Sequence, residues 1–493
     1  EDTMRDFDPD GTRLPVKIDT ASNGEYLPQP LTQAEEHAKA LAFTKVADAV
    51  KRLGTDRRTF LKSTMGTAAT LLALNETAAA TGAKGGVFSI ALDAAEDTEL
   101  ADASVKGDEF IFDIQTHCVD PSGAWRSGMD GLLWTIAINF VFEEGARQCG
   151  WFDFDCFDAQ NMIKEVFLDS DTDVAVLSAL WGGRENNPTP IDYAAETRTL
   201  MNEVDNRERG LIHGGVFPNE PGWEDFMDEL AEEHEVAAWK LYPQWGPDGV
   251  GYHMDDPDQA APFYEKARQL GITTICAHRG LPLPMLDHAY SHPSDIARAA
   301  RQNPDLNFIC YHSGFEPDYA ESAYNPDNAQ GIDRLIRAHE ENGFRPNEGN
   351  LYAEMGGLWR EHMTQPEAAA HAMGKLLKTF GPERICWGTD SIWWGSPQDQ
   401  IETFRTFEIT EEFQERFGYP ALTKEVKARI FGLNAAEVYG VDPVPFLKEA
   451  ANDRVEQLRR DYAACTNPSF QTYGPKTRRD FWRVSGPAGG RPS

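Results

Sequence analysis

The sequence is poor in several features that would point directly to a function. Its seven cysteines (118, 149, 156, 276, 310, 386 and 465) are scattered and include no CxxC pair. That distribution argues against a disulfide framework and against a thiolate zinc site. Basic residues are also scarce, since 46 Lys and Arg face 80 Asp and Glu, which gives a formal charge of −34. A surface of this sign repels nucleic acid and anionic membranes, so we expect neither as a partner.

The most apolar run in the N-terminal part of the chain is not long enough to span a membrane durably. The run from Met65 to Ala80 is too short and too rich in Ala and Thr. It follows Asp56-Arg57-Arg58-Thr59-Phe60-Leu61-Lys62, which resembles a twin-arginine export signal. About 55 residues precede the arginines, which is long for such a signal. The chain is therefore expected either to be exported by the twin-arginine route or to remain cytoplasmic with this segment retained.

From residue 106 onward, apolar runs of strand length alternate with stretches of helical character. The apolar runs lie at 110–114, 174–180, 211–217, 236–242, 272–277, 307–311, 350–355 and 385–388. The helical stretches lie at 193–205, 223–234, 257–270, 294–302, 330–342 and 366–380. Eight strands separated by helices predict an α/β fold of the (β/α)8 barrel type.

The remaining segments are interpreted as additions to this barrel. Residues 1–105 form an N-terminal extension, in which 32–53 is predicted to be a helix with Thr32 as N-cap and Glu35 three residues later. The stretch 118–172 is too long for one crossover and is expected to be an insertion over the barrel mouth. The barrel is expected to span 106–441, with a C-terminal helix and tail at 442–493.

Polar residues stand where the predicted strands end. Alternation places Asp113, Gln115 and His117 on one face of the first strand. The fifth and sixth strands end at His278 and His312, the seventh contains Glu354, and the eighth ends at Asp390. A single histidine of this kind is more often structural than a ligand. Three histidines and an acid from different strands would meet at one barrel mouth, where imidazole and carboxylate suit Zn, Mn or Fe.

The order of these residues resembles the metal-dependent amidohydrolase superfamily, in particular the amidohydrolase-2 branch that includes aminocarboxymuconate-semialdehyde decarboxylase. The resemblance covers about residues 108–441. It rests on His117, His278 in AHRG, His312 in YHSG, Asp390 in WGTDS and the closing NAAEVYG. It implies one or two divalent ions, with zinc first and manganese or iron as alternatives, bound by His117, His278 and Asp390.

The sequence departs from the family at Gln115, where the first histidine of a His-x-His pair would stand. A glutamine oxygen is a poor zinc ligand, so either Asp113 or Glu354 is expected to supply the missing donor, or the metal site is weakened. Lys240 matches the strand that carries a carbamylated, bridging lysine in some members. An equally open interpretation is that Lys240 binds a substrate carboxylate or an internal acid.

The resemblance implies hydrolysis of a C–N or C–O bond, or non-oxidative decarboxylation, of a small carboxylate-bearing substrate. Asp390 would be a ligand or base and His312 would move a proton, while Arg279 and Lys240 would hold a carboxylate and Trp393 would line the pocket. Two alternatives stay open: a dinuclear Mn/Fe or di-iron oxygenase, with Asp113 and Glu354 as added carboxylates, and a non-catalytic barrel subunit. The long extensions predict a homo- or hetero-oligomer.

Overall fold

The structure is a computed structural model of the chain, and it describes most of its length. The described residues are 8–20, 22, 26–141, 154–204, 207–281, 286–447, 454–463, 465–473 and 476–479. Within the predicted insertion, Cys149, Trp151 and Phe152 lie outside them.

Eight parallel strands form the central barrel. The described strands are β1 (Gly86–Phe88), β2 (Phe112–Thr116), β3 (Val174–Leu177), β4 (Gly210–Gly215), β5 (Ala238–Leu241), β6 (Thr274–His278), β7 (Asn307–Tyr311), β8 (Leu351–Glu354), β9 (Ile385–Cys386) and β10 (Phe407–Ile409). Strands β2 to β9 pair in sequence order, each parallel to the next. The first and last of them meet through Ile114 N–H to Trp387 O (3.1 Å) and Asp390 N–H to Gln115 O (2.9 Å). The predicted barrel is therefore confirmed.

Helices follow most of these strands on the outside of the barrel. Those that follow β3 to β8 are Ile191–Glu203, Trp223–Glu232, Ala260–Leu270, Ser294–Gln302, Asp333–Glu341, Leu358–His362 and Pro366–Phe380. After β9 come Gln398–Thr406, Glu411–Phe417, Lys424–Ala428 and Asn434–Tyr439, and the tail contains Arg454–Ala463. The described insertion contains Gly128–Val141 and Ala159–Ile163. The apolar interior of the barrel is built from alternate strand residues, among them Ile114, Val176, Cys276, Tyr311 and Cys386, as strand alternation requires.

The N-terminal extension folds as helices against the barrel. Helix α1 (Gln33–Leu53) has the predicted capping box, in which Glu35 N–H donates to Thr32 Oγ1 (3.2 Å) and Thr32 N–H donates to the Glu35 carboxylate (2.8 Å). Helix α2 (Arg57–Leu61) leads into helix α3 (Thr64–Thr81), whose residues 66–74 are buried. In α3, Thr67 Oγ1 donates to Glu402 Oε2 on a barrel helix at 2.9 Å.

The twin-arginine-like segment takes part in this packing. Arg58 is 7% exposed, and its Nη2 donates to Pro468 O in the C-terminal tail at 2.6 Å. Lys62 Nζ donates to Thr466 O at 2.9 Å. The N-terminal extension therefore anchors the tail through side-chain donors on backbone carbonyls. Whether the native protein is exported stays a prediction.

Two further features of the fold were not predicted. Strands β1 and β10 pair antiparallel in a separate small sheet, and Asn75 of α3 bonds both Phe88 N–H (2.9 Å) and Phe88 O (2.7 Å). Cys156 is disulfide-bonded, and a single bond of this kind does not amount to a disulfide framework. Within the described ranges, no helix has both the length and the apolar character that crossing a bilayer requires.

The contact between α3 and the barrel predicts how stability depends on pH. Glu402 is 8% exposed, and burial raises the pKa of its carboxyl from the usual 4.5 to about 7. A carboxyl whose pKa is higher in the folded state destabilises that state as it ionises, so stability should fall between about pH 4.5 and pH 7 and then level off. We expect Glu402→Gln to resemble the wild type at pH 5 and to unfold with about 3 kcal/mol more free energy at pH 8.

Urea unfolding at the two pH values measures this difference, and Glu408→Gln, at an exposed position nearby, is the control. An equal effect of both substitutions at pH 8, or no effect of Glu402→Gln, would refute a raised pKa of the buried Glu402 carboxyl.

Candidate active site

The polar side chains at the strand ends form one continuous chain of close polar contacts at the barrel mouth. His117 Nε2 lies 2.9 Å from Asp390 Oδ1, which also accepts a hydrogen bond from Gln115 Nε2 at 2.9 Å. Gln115 Nε2 lies 3.4 Å from His312 Nε2, which in turn lies 3.1 Å from His278 Nδ1. All five side chains are at most 2% exposed. Strands β2, β6 and β9 and the turn after β7 therefore bring their predicted residues together.

Backbone carbonyls fix how each of the three imidazoles is protonated. The outward nitrogens contact carbonyl oxygens: His117 Nδ1 that of Ser178 (3.0 Å), His278 Nε2 that of Leu281 (2.9 Å) and His312 Nδ1 that of Gly356 (2.8 Å). A carbonyl oxygen only accepts, so each outward nitrogen carries the proton and each inward nitrogen presents a lone pair in the neutral ring.

The electrostatic environment keeps these rings neutral. Burial, followed by the charge of Lys240, lowers the pKa of His117 from 6.5 to about 3. Burial likewise places the pKa of His278 and of His312 well below the ordinary range. Near neutral pH the three histidines are therefore uncharged and able to donate electron pairs.

The donor set fits a divalent cation. Three imidazole lone pairs and one Asp390 carboxylate oxygen face a common region, and the contacts His117–Asp390 and His278–His312 each oppose two acceptors. An ion between such atoms would remove that repulsion, and a histidine ligand typically donates its other N–H to a carbonyl, as here. Nitrogen with carboxylate oxygen suits Zn, Mn or Fe. The role of His117, His278 and Asp390 as ligands remains a prediction.

A different group meets a stricter distance criterion. Among the described residues, His253, Asp255 and Asp295 are the one trio of candidate ligands whose donor atoms all lie within 4.8 Å of one another. The Asp295 carboxylate, however, already accepts hydrogen bonds from Arg279 Nε (3.0 Å) and Nη2 (2.8 Å). The Asp255 carboxylate accepts one from Arg298 Nε at 2.5 Å. Hydrogen bonding to Asp295 raises the pKa of His253, which favours a proton there over a metal.

The two extra carboxylates of the sequence prediction are bound to backbone amides. The pairing of β2 with β3 is irregular between Asp113 and Thr116, so Asp113 does not share one regular face with Gln115 and His117. Its carboxylate accepts from Gln115 N–H (3.0 Å), Thr389 N–H (3.1 Å) and the Thr389 hydroxyl. The expected alternation is therefore wrong at Asp113. Its carboxylate connects the first barrel strand to the segment that follows the last one.

Glu354 has the corresponding role on β8. Its carboxylate accepts from His312 N–H at 2.8 Å and from Gly356 N–H at 2.5 Å. A Cβ on Gly388 would lie 1.9 Å from Glu354 Oε1, so the glycine of WGTDS makes room for this carboxyl. Burial raises the pKa of Asp113 to about 7 and of Glu354 to about 8.

The three predicted substrate-binding residues have different surroundings. Lys240 is fully buried inside the barrel, with Nζ 3.5 Å from the Tyr311 ring centroid. Trp393 is 5% exposed and its ring stacks on that of His117 at 5.5 Å. Arg279 is fully buried and bonded to Asp295 and to two backbone carbonyls. Its guanidinium therefore stabilises the loop after β6, which differs from the predicted role.

Sequence reasoning missed the aromatic cover of the site. Phe157 of the insertion lies 5.9 Å from Trp393 and 5.0 Å from Tyr473 of the tail, measured between ring centroids. Tyr473 N–H donates to Trp393 O at 3.2 Å. On the other side, the Tyr242 ring stacks on His278 at 5.0 Å. Only Tyr242, at the end of a predicted strand, had a local signal, because the others arrive from distant parts of the chain.

Backbone conformation also distinguishes two site residues. His312 and Asp390 have φ of +63° and +58°, values that cost a residue with a Cβ some free energy. The backbone N–H of each residue donates to a neighbouring strand: His312 N–H to the Glu354 carboxylate and Asp390 N–H to Gln115 O. The strain is therefore maintained where the side chains must turn towards the barrel axis.

Comparison with known proteins decides the family. The sequence profile of the amidohydrolases (Amidohydro_2) matches residues 112–441, which is the barrel with its insertion. The chain belongs to the amidohydrolase family. The predicted resemblance is thus confirmed, and members of this family are generally metal-dependent, in agreement with the donor set.

Solved structures similar to this amidohydrolase are distant. A TIM-barrel protein from Bordetella bronchiseptica is 16% identical over 67% of this chain and 98% of its own, with a TM-score of 0.43. The 5-carboxyvanillate decarboxylase of Sphingomonas paucimobilis is 14% identical over 68% and 99%, with a TM-score of 0.42. The 2,6-dihydroxybenzoate decarboxylase of Rhizobium is 15% identical over 68% and 99%, with a TM-score of 0.38. Comparison with the curated proteins gives no significant match.

The location of the metal generates a direct prediction. His278→Ala removes an inward lone pair of the barrel centre, whereas His253→Ala removes the imidazole of the surface trio. We expect the first substitution to lower the bound Mn2+ or Zn2+ to below about a tenth of the wild-type content, because losing a ligand costs more than the 10- to 100-fold typical of outer partners. His253→Ala should leave the content unchanged.

Elemental analysis after chelation, reloading and gel filtration measures both variants beside the wild type. The opposite pattern, with loss in His253→Ala alone, would locate the ion in the surface trio and refute the barrel assignment.

Proposed function

We propose that this amidohydrolase-family protein is a metal-dependent enzyme that removes CO2 without oxidation from a small carboxylate-bearing substrate. The observation that carries the proposal is the buried chain of close contacts that joins three neutral, carbonyl-anchored imidazoles, Gln115 and the Asp390 carboxylate at the barrel mouth. His117, His278 and Asp390 would hold the ion. When bound, it would polarise substrate oxygen atoms and offset the negative charge that develops during the reaction.

The enclosure of the site supports decarboxylation over hydrolysis. The side chains of this chain of contacts are at most 2% exposed, Trp393 stacks on His117, and Phe157 packs against both Trp393 and Tyr473. A surrounding of this kind replaces the hydration shell of a substrate carboxylate. Departure of CO2 requires no water, whereas hydrolysis requires one in the site. The buried Lys240 supplies the positive charge that a substrate carboxylate needs in such a place.

The protein residues would supply the proton balance. Loss of CO2 leaves an electron pair on the substrate carbon, and one proton must reach that carbon. His312 Nε2 faces the centre with a lone pair while Nδ1 is held by Gly356 O, so it would take up a proton from solvent or from a substrate hydroxyl and then pass that proton to the carbon. Asp390 Oδ1 accepts a hydrogen bond from Gln115 and lies against His117. Its carboxylate can therefore take part in replacing the proton that His312 passes to the substrate carbon. Trp393 and Tyr242 would orient a flat substrate by lying against the imidazoles on both sides.

Hydrolysis of a C–N or C–O bond is the second candidate. It is favoured by the neutral state of His312 and by the Asp390 carboxylate, both of which suit proton acceptance from water. The dinuclear oxygenase is less well supported, because the Asp113 and Glu354 carboxylates are already bonded to backbone amides.

The test is product analysis on metal-loaded protein incubated with a panel of small aromatic and aliphatic carboxylates, amides and esters. Carboxyl-labelled substrates should release labelled CO2 with no oxygen uptake. Release of amine or alcohol without CO2 would establish hydrolysis instead, and oxygen consumption would establish oxygenation. Inactivity towards the whole panel at full metal content would contradict the proposed substrate class.

The role of His312 predicts a specific variant. His312→Asn retains a side chain that can bond Gly356 O but removes the proton-transferring nitrogen. We expect kcat to fall by about 10² to 10⁴, the usual contribution of general acid–base catalysis, while the metal content stays near that of the wild type. His371→Asn, a buried histidine outside the site, should keep its activity. Unchanged kcat in His312→Asn would exclude His312 as the proton-transferring group.

A further inference from the structure

Gln115 is the residue at which the sequence departs from the family, and its amide lies in the middle of the site. Its side chain is 1% exposed. Nε2 lies 2.9 Å from Asp390 Oδ1 and 3.4 Å from His312 Nε2. Oε1, by contrast, is buried with no hydrogen-bond partner in the described part of the chain. A buried amide oxygen without a partner costs free energy and needs a physical explanation.

The surroundings of Oε1 explain why it has no donor. Oε1 lies 2.2 Å from the point that a Cβ of Gly356 would occupy, and Glu354 Oε1 lies 2.6 Å from the same point. The amide oxygen therefore lies within about 5 Å of a carboxyl oxygen that already accepts from Gly356 N–H. In this orientation the Gln115 oxygen faces the Glu354 carboxyl oxygen, which is an acceptor, and the NH2 group faces Asp390 and His312. Once an ion is bound between Asp390 and His312, the opposite orientation of the amide would suit both sides better.

A turn of the amide by about 180° exchanges the two atoms, which have nearly the same size and reach. The NH2 group would then face the Glu354 carboxyl, to which it can donate. Oε1 would take the position now held by Nε2, beside Asp390 Oδ1 and His312 Nε2. Acceptors facing one another in this way are stable only around a positive charge. Both orientations fit the same cavity, but only the second one is compatible with a cation among these lone pairs.

We infer that Gln115 is a metal ligand through Oε1, and that the orientation of its amide, set against Glu354, tunes which ion the site prefers. A neutral oxygen in place of an imidazole makes the site harder and adds no charge. Such a donor favours Mn2+ over Zn2+ relative to a site with a further histidine, because imidazole suits zinc and oxygen donors suit manganese. Gln115 thereby becomes a determinant of metal selectivity, with Glu354 as the partner of its NH2 group.

The experiment measures binding of Mn2+ and Zn2+ by competition with a chromophoric chelator, with no substrate present. Three variants separate the possible roles. Gln115→Met keeps the length of the side chain but offers no oxygen, Gln115→Glu keeps the oxygen and adds a charge, and Gln115→His supplies the imidazole. Gln400→Met is the matched control, because Gln400 is also fully buried with an Oε1 that lacks a partner among the described residues, while its Nε2 donates to Thr389 O and to none of the candidate ligands.

We expect Gln115→Met to weaken Mn2+ binding at least about tenfold, and Gln115→Glu to strengthen it. Gln115→His should lower the ratio of Mn2+ to Zn2+ affinity at least tenfold, and Gln400→Met should leave both affinities within twofold. In the Mn2+ electron paramagnetic resonance spectrum, Gln115→Glu should alter the zero-field splitting while Gln400→Met should not.

Wild-type affinities in Gln115→Met and Gln115→Glu, both shown to be folded by circular dichroism, would overturn the assignment, as would an unchanged selectivity in Gln115→His. The inference uses the same metal site as the proposed function, but the two fail separately. Affinities that follow the expected order in a protein without decarboxylase activity would refute the function alone. Activity that persists with affinities indifferent to Gln115 would refute the ligand role alone.

Discussion

The anchoring of three imidazoles by backbone carbonyls is the constraint on which the site depends. Each of His117, His278 and His312 gives its outer N–H to a carbonyl oxygen at 2.8 to 3.0 Å. These carbonyls belong to residues at or just after the ends of β3, β6 and β8, so the barrel itself sets the protonation of every ring. Burial then keeps the rings neutral. A surface cluster of the same residue types would have neither property.

The terminal extensions complete this arrangement from outside the barrel. Arg58 and Lys62 of the N-terminal extension hold backbone carbonyls of the tail, and Lys17 forms an ion pair with Asp399 at 2.9 Å, next to the loop that carries Trp393. The tail in turn brings Tyr473 onto Trp393 and Phe157. The N-terminal extension and the tail therefore stabilise the same aromatic cover.

The sequence was sufficient for the barrel and for the residues that converge, because both follow from local signals. All eight barrel strands overlap the predicted apolar runs, and strand ends in a parallel barrel must share one mouth. The α1 capping box was likewise readable from Thr32 and Glu35. Asp113 was predicted less well, because an irregularity in strand pairing cannot be read from alternation.

Other features depended on contacts that sequence spacing does not reveal. Tyr311 lies in the barrel interior although it directly precedes the site residue His312, because His312 and Ser313 adopt positive φ and end the regular strand. Arg279 follows a site histidine but is bonded to Asp295, sixteen residues away. The tail, the disulfide at Cys156 and the β1–β10 sheet are likewise long-range pairings, for which no periodic pattern exists.

The most direct test of the barrel site is X-ray absorption spectroscopy of the protein loaded with one equivalent of zinc. Three carbonyl-anchored histidines around Asp390 predict two or three imidazole contributions, with nitrogen and oxygen ligands at about 2.0–2.2 Å. The surface trio of His253, Asp255 and Asp295 can supply only one imidazole. A spectrum with two or more imidazoles would agree with an ion at the barrel mouth, and a spectrum with one or none would contradict it.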